Sequence, residues 1–251
     1  MNSTKTNLKF INRDMLKYMA VTVMFIGHFL IKTIKELNML GIPRGIASVL
    51  MQLQYMAPPI FFFFIAEGFY YTGSRKKYAI RLFGFALITQ VTYVLCETLT
   101  FDVRMFFTSW NVVMTLFLGL MVLIIWECKL PLPVRLLIIG ACGLVNYLLK
   151  MEWAITGLLI IFAFHILRER PIIRIVVYEL ILLGDIVVGM GGIGAVFSMI
   201  PFFVTTFLAI ILITFFYNGK KGKHPKFAKY FFYIFYPAHL FLIFIIRVVA
   251  G

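Results

Sequence analysis

Apolar stretches fill this chain almost end to end, and the short loops between them alternate between rich and poor in Lys and Arg. The stretches cover residues 15–34, 47–68, 78–96, 109–127, 133–149, 153–168, 172–189, 195–217 and 229–249. At about 1.5 Å rise per residue each approaches the length needed to cross a hydrocarbon core roughly 30 Å thick. A backbone facing lipid must satisfy its own hydrogen bonds, and no strand-like polar alternation suits a barrel, so the spans are expected to be helices. The expected fold is all-α: one polytopic membrane bundle of about nine transmembrane helices occupying residues 1–251 as a single domain. With 62% hydrophobic and 14% charged residues, the 251-residue chain leaves no room for a soluble domain.

Orientation follows from the basic residues. A cytoplasmic N-terminus gives the inner side eighteen of them: Lys5, Lys9, Arg13, Lys17, Arg75, Lys76, Lys77, Arg81, Lys129, Arg135, Arg168, Arg170, Arg174, Lys220, Lys221, Lys223, Lys226 and Lys229. The outer side keeps six: Lys32, Lys35, Arg44, Arg104, Lys150 and Arg247. That bias places the N-terminus in the cytoplasm and implies a multi-pass protein of the cell membrane. The net charge of +14 would point to nucleic acid in a soluble protein. Here it sits in inner loops, where attraction to anionic membrane lipid accounts for it, and no nucleic-acid partner is expected. The first span has basic residues before it but no small-residue cleavage site after it, so it should stay attached. Cys96, Cys128 and Cys142 have neither metal-binding nor disulfide spacing, and no metal is expected.

In so apolar a chain the informative residues are those that cost most in hydrocarbon, about 2.5 kcal/mol or more for a charged group. His28 lies about 12 residues past the inner end of its span, roughly 18 Å deep. A neutral imidazole there can take and give a proton, as activating an amine or hydroxyl requires. The competing assignment is a buried histidine satisfied by one interhelical hydrogen bond. Asp14 and Lys17, three residues apart, should pair at the inner boundary. Glu67 follows the Pro58–Pro59 pair, which should kink or break its helix, and precedes Arg75, Lys76, Lys77 and Arg81. It reads as an internal ion-pair partner for that cluster, while the guanidinium forks of Arg75 and Arg81 suit phosphate oxygens. Asn111 begins the fourth span, so a capping role competes with a ligand role. His239 sits roughly 13 Å deep in the last span. Pro237, two residues earlier, frees a backbone carbonyl that His239 could occupy. Gln90, Thr115, Asn146, His165 and Glu179 complete the buried polar set, with Asp185, which needs a partner or a proton. Gly189, Gly191, Gly192 and Gly194 form an outer turn, not a nucleotide loop, because no strand precedes them.

Several runs of residues resemble one family. Asp14, Leu16, Lys17, Gly27 and His28 resemble the opening helix of the TraX family, membrane proteins related to conjugative pilin acetylase. So do Pro59, Ile65, Ala66, Glu67, Gly68, Phe69, Thr72, Arg75, Tyr78, Arg81 and Leu82. Asn111, Thr115, Leu116 and Gly119 are similar to its fourth-span element. Ser198, Ile200, Pro201, Tyr217, Asn218, Gly219, Lys220 and Gly222 match in turn, as do Tyr233, Phe235, Tyr236, Pro237, His239 and Leu240. Two departures stand out: Gly27 where the family usually has Asp, and Glu152 with Trp153 where an Asp is expected.

The resemblance implies an acyltransferase, acetyl by default, that draws acyl-CoA from the cytoplasm. It implies His28 at the reaction centre and Arg75, Lys77 and Arg81 on the coenzyme phosphates, with Lys17 and Glu67 beside them. Asn111 and His239 become candidates for stabilising the thioester oxyanion. The acceptor would be a peptide or protein amine, or a sugar or lipid hydroxyl. Two alternatives stand beside it: a transporter or flippase, and a non-catalytic partner in a membrane assembly.

Overall fold

The computed structural model describes residues 9–33, 41–189, 192 and 194–250. Lys5, Lys35 and Gly191 lie outside the described residues. The elements are α1 (Arg13–Lys32), α2 (Arg44–Leu53), α3 (Ala57–Tyr71), α4 (Arg75–Thr98), α5 (Val103–Thr108), α6 (Val112–Trp126), α7 (Leu132–Leu148), α8 (Ala154–Ile166), α9 (Pro171–Gly189), α10 (Gly194–Ser198), α11 (Ile200–Ile211) and α12 (Pro225–Ala250). A 3-10 turn, Gln54–Met56, joins α2 to α3, and a π-helical turn, Leu212–Phe216, extends α11. No strand occurs among the described residues; Ile11 and Tyr217 make one isolated parallel bridge.

Five helical segments are long and apolar enough to cross a membrane: Arg13–Lys32, Gly45–Tyr71, Arg75–Thr98, Val103–Trp126 and Tyr230–Val249. The remaining apolar stretches hold shorter helices, Leu132–Leu148, Ala154–Ile166 and Ile200–Phe216, or, in α9, the charged Arg174, Glu179 and Asp185. Thirteen residues of α8 rise only about 20 Å, short of a full hydrocarbon core. The chain is thus an all-helical membrane protein in which long spans and shorter apolar helices share one bundle.

Local chemistry sets the helix boundaries. Asn12 caps α1, its side chain accepting from Met15 N–H at 2.9 Å; Asp102 does the same for α5 from Met105 at 2.9 Å. Ser74 caps α4 through Lys77 N–H. Pro58 and Pro59 occupy the first turn of α3, where a missing N–H costs nothing, so the expected break falls just upstream at Gln54–Met56. Packing runs α12 on α4, α4 on α6, α6 on α8 and α8 on α3, while α1 contacts α2, α3 and α12. Gly119 lets α6 approach α8 closely, since a Cβ there would collide with Ile161; Gly157 lies against Thr115 in the same contact.

Candidate functional site

Four helices turn one stripe each toward a common interior space. On α1 the stripe is Asp14, Lys17, Val21, Met24, His28 and Ile31, a repeat of three or four residues. Phe61, Phe64, Ile65, Gly68 and Thr72 face it from α3 and its C-terminal end, Tyr78, Arg81, Phe85, Thr89 and Tyr93 from α4, and Phe232, Tyr233, Tyr236 and Leu240 from α12. They enclose a cavity of about 1230 Å³ that extends from Arg13 and Lys221 at one end to Lys32, Glu97 and Glu152 at the other. His28 lines its deep part.

The cavity end at Arg13 and Lys221 is basic and cross-tied. Glu67 pairs with Arg13 at 3.0 Å and accepts from the Tyr217 hydroxyl at 2.7 Å. Tyr217 reaches it because the segment after α11 is stitched to the residues before α1. Ile11 N–H donates to the Phe216 carbonyl at 3.0 Å, Asn218 N–H to Ile11 at 2.9 Å, and Arg13 N–H to Lys220 at 2.9 Å. Gly222 in this segment lies directly against the Asp14 side chain, leaving no room for a Cβ. Glu67 therefore does not orient the Arg75 cluster, as the sequence suggested; its basic partner is Arg13.

Nor do Asp14 and Lys17 form the expected ion pair. The Lys17 ammonium sits 4.7 Å from the Phe64 ring centroid and 5.4 Å from that of Phe232, with no hydrogen bond or ion pair among the described residues. Arg81 lines the cavity with its Nε buried and unpartnered. The other two residues expected to hold phosphate lie elsewhere. Arg75 stacks its guanidinium 4.1 Å from the Phe69 centroid, and Lys77 is exposed; neither lines the cavity.

At the far end Lys32 is ion-paired with Glu97 across α1 and α4. Glu152, in the turn between α7 and α8, accepts from Val112 N–H at the start of α6 at 2.9 Å. Its backbone N–H donates to Trp110 at 3.0 Å, and its carbonyl accepts from the Thr115 hydroxyl at 2.6 Å. Lys150, Trp153 and Ala154 in this turn have φ of 42°, 65° and 33°, a strained run that aims the carboxylate into the bundle. Burial pushes its pKa up to about 7, against the pull of the Val112 N–H. Residue-by-residue reading of the sequence left Glu152 out of the site. The one signal was its place where the family carries an Asp.

His28 and His239 meet across the bundle, His28 Nδ1 lying 3.1 Å from His239 Nε2 with the rings stacked at 5.3 Å and 23°. His239 Nδ1 is 3.0 Å from the Phe235 carbonyl. The carbonyl it uses is thus its own helix's, one turn back, and not the Tyr233 carbonyl that Pro237 leaves free. Gly27 beside His28 lies under Gln54, whose side chain a Cβ at that position would strike.

Asn111 is not brought to the cavity. Fully buried, it donates from Nδ2 to Gln90 Oε1 at 2.8 Å and to the Ala86 carbonyl at 3.0 Å, while Oδ1 accepts from Val113 N–H at 3.0 Å. Gln90 in turn donates to Ser109 at 2.6 Å. These contacts occupy Asn111 as a helix cap and interhelical fastener, with nothing left for an oxyanion. Asp185 finds its partner in the Thr156 hydroxyl at 2.6 Å, and His165 lies 2.9 Å from Glu127 near the molecular surface, both away from the cavity. Among the described residues no group of three or more His, Cys, Asp or Glu side chains could hold a metal.

Fold and site together define a polytopic helical membrane protein with a large, mostly apolar cavity that carries polar groups at both ends. The TraX protein family model matches residues 12–247, and the chain belongs to that family. It is similar to a curated protein described as "Probable fimbrial assembly protein FimC, serogroup H1", from Dichelobacter nodosus. The two are 30% identical over 171 residues, which cover 65% of this chain and 69% of that one. No solved structure matches the chain.

Proposed function

We propose that this protein is an acetyltransferase of the cell membrane that takes the acetyl group from cytoplasmic acetyl-CoA and passes it to an amine or hydroxyl acceptor. The observation that carries the reading is the cavity that His28 shares with unpaired cations toward one end and with carboxylates at the other. The buried, unpartnered Nε of Arg81 and the ammonium of Lys17 fit phosphate oxygens, and Lys221 adds positive charge at the rim. His28 removes the proton from the acceptor N–H or O–H as the nucleophile attacks the thioester carbonyl. The new C–N or C–O bond forms, the C–S bond breaks, and His28 returns the proton to the departing thiolate. The fimbrial assembly name of the relative is compatible with a protein or peptide acceptor.

A cavity with polar groups at both ends also suits a carrier, and this is the second reading. One experiment separates them: purified protein with labelled acetyl-CoA and membranes or peptides, wild type against His28→Ala, read by mass spectrometry. The acetyltransferase reading expects labelled product from the wild type and none above background from a folded variant. Equal label in both removes His28 from the chemistry. No label, with unmodified solute moving across liposomes, favours the carrier.

A further inference from the structure

The two histidines form a hydrogen-bond chain whose direction can be read from its far end. The Phe235 carbonyl, 3.0 Å from His239 Nδ1, has only lone pairs to offer, so Nδ1 carries a proton. A neutral imidazole has one N–H, which leaves His239 Nε2 as an acceptor. His28 Nδ1 stands 3.1 Å from that acceptor and must be the donor. His28 has then spent its own N–H on His239. Its Nε2, which makes no hydrogen bond among the described residues, keeps a free lone pair on a ring that lines the cavity.

We propose that His239 is a positioning residue that holds His28 in the tautomer with Nδ1 protonated and Nε2 bare, so that Nε2 is the base presented to the acceptor. The inference rests on His28 being the base. Aromatic neighbours fix the His239 ring in the orientation this requires. Phe235 stacks on it at 5.2 Å and 16°, and Tyr236 and Phe25 wall it edge-on at 5.1 Å and 6.3 Å. Its anchor, the Phe235 carbonyl, belongs to the same helix one turn earlier, so ring and anchor move together. When His28 Nε2 accepts the acceptor's proton, the ring becomes an imidazolium whose Nδ1–H still points at the His239 lone pair. That hydrogen bond strengthens as the charge forms, and no proton need leave His28 before it is handed to the thiolate.

The test uses the full-length protein labelled with 15N-histidine in lipid nanodiscs, with His28 resonances assigned by their loss in His28→Ala. Wild type should show His28 Nδ1 protonated and Nε2 unprotonated. His239→Gln, whose side-chain oxygen can accept in place of Nε2, should keep that tautomer and most of kcat. His239→Leu should lose the preference and lower kcat roughly 10- to 100-fold, with KM for acetyl-CoA within about twofold of wild type. A bare Nδ1 on His28 in the wild type overturns the proposal, whatever the variants do. So does His239→Leu with unchanged tautomer and kcat, or His239→Gln failing as badly as Leu while the tautomer holds. If instead His28→Ala still transfers acetyl groups, the reading of His28 as base falls and the resonances report only the pairing. Should His239→Leu not fold, the wild-type resonances and the Gln variant decide.

Discussion

The two ends of the cavity are built by opposite means. At the Arg13 end, side chains tie distant segments together: Arg13 from α1, Glu67 from α3 and Tyr217 from after α11 close one network, and Lys17 and Arg81 have no anionic partner among the described residues. At the opposite end the key carboxylate is held by backbone, with the Val112 N–H on Glu152 and a strained turn behind it. A network spends its charges on one another and leaves a net excess; a backbone-held carboxylate keeps its own charge open to titration. In the proposed function this asymmetry puts an anion-binding rim on the donor side and an acid on the acceptor side.

The largest expected effect lies between the two ends. Replacing His28 by Ala should lower acetyl transfer by roughly 10²- to 10⁴-fold, the usual worth of a general base, with a modest loss of stability from the broken hydrogen bond to His239. Next comes the Arg13–Glu67–Tyr217 network. Glu67→Leu strands the partly buried Arg13 and should cost about 1–3 kcal/mol of stability, less than a fully buried pair because Arg13 keeps some water. The double variant Arg13→Met/Glu67→Leu should melt higher than Glu67→Leu alone. Denaturation in detergent reads both, and a double variant no better than the single would show that the charges do not depend on each other.

The donor rim gives a smaller, more selective effect. Arg81→Gln and Lys17→Met should each raise KM for acetyl-CoA about tenfold, the loss of one charge-assisted contact. Arg75→Gln and Lys77→Gln should leave it within about twofold, because those side chains lie outside the cavity. Steady-state kinetics that reverse this order would move the phosphates to the outer face of the inner loop.

Which of these residues were legible in the sequence follows from the range of the interactions. Asp14, Lys17 and His28 were legible one by one, since each stands out against apolar neighbours, but the stripe that turns all three toward one cavity was not read from them. The basic loops and the helical class were legible for the same reason: cost in hydrocarbon is a local property. What joins across the chain was not. His28 and His239 are 211 positions apart, and no periodicity says that α1 and α12 turn these rings toward each other. Glu67 beside Arg75 and Arg81 in sequence invited the wrong partner, because a helix end and a turn separate neighbours that a longer loop brings together elsewhere. Glu152 was missed because its position depends on three left-handed residues that no propensity predicts. Asn111 was seen, but its dual promise as cap or ligand could be settled only by Gln90 and Ala86 on another helix.

The smallest effect expected tests the Glu152 end. Burial raises the Glu152 pKa to about 7 in the folded protein, above the ordinary value near 4.5 that it regains on unfolding. Between those values the folded state binds the extra proton, so stability is greatest at the acid end of the window and falls as pH rises toward 7. The total across the window is at most about 3 kcal/mol. Lys32 opposes the rise, and Glu97, Tyr93 and Tyr236 also face the carboxylate, so the comparison must isolate Glu152. Glu152→Gln keeps an acceptor for the Val112 N–H and cannot titrate. Its melting temperature should vary less between pH 5 and pH 8 than that of the wild type, and the two curves should separate most at the alkaline end, with the variant higher. Parallel curves would mean that Glu152 is already ionised throughout this range.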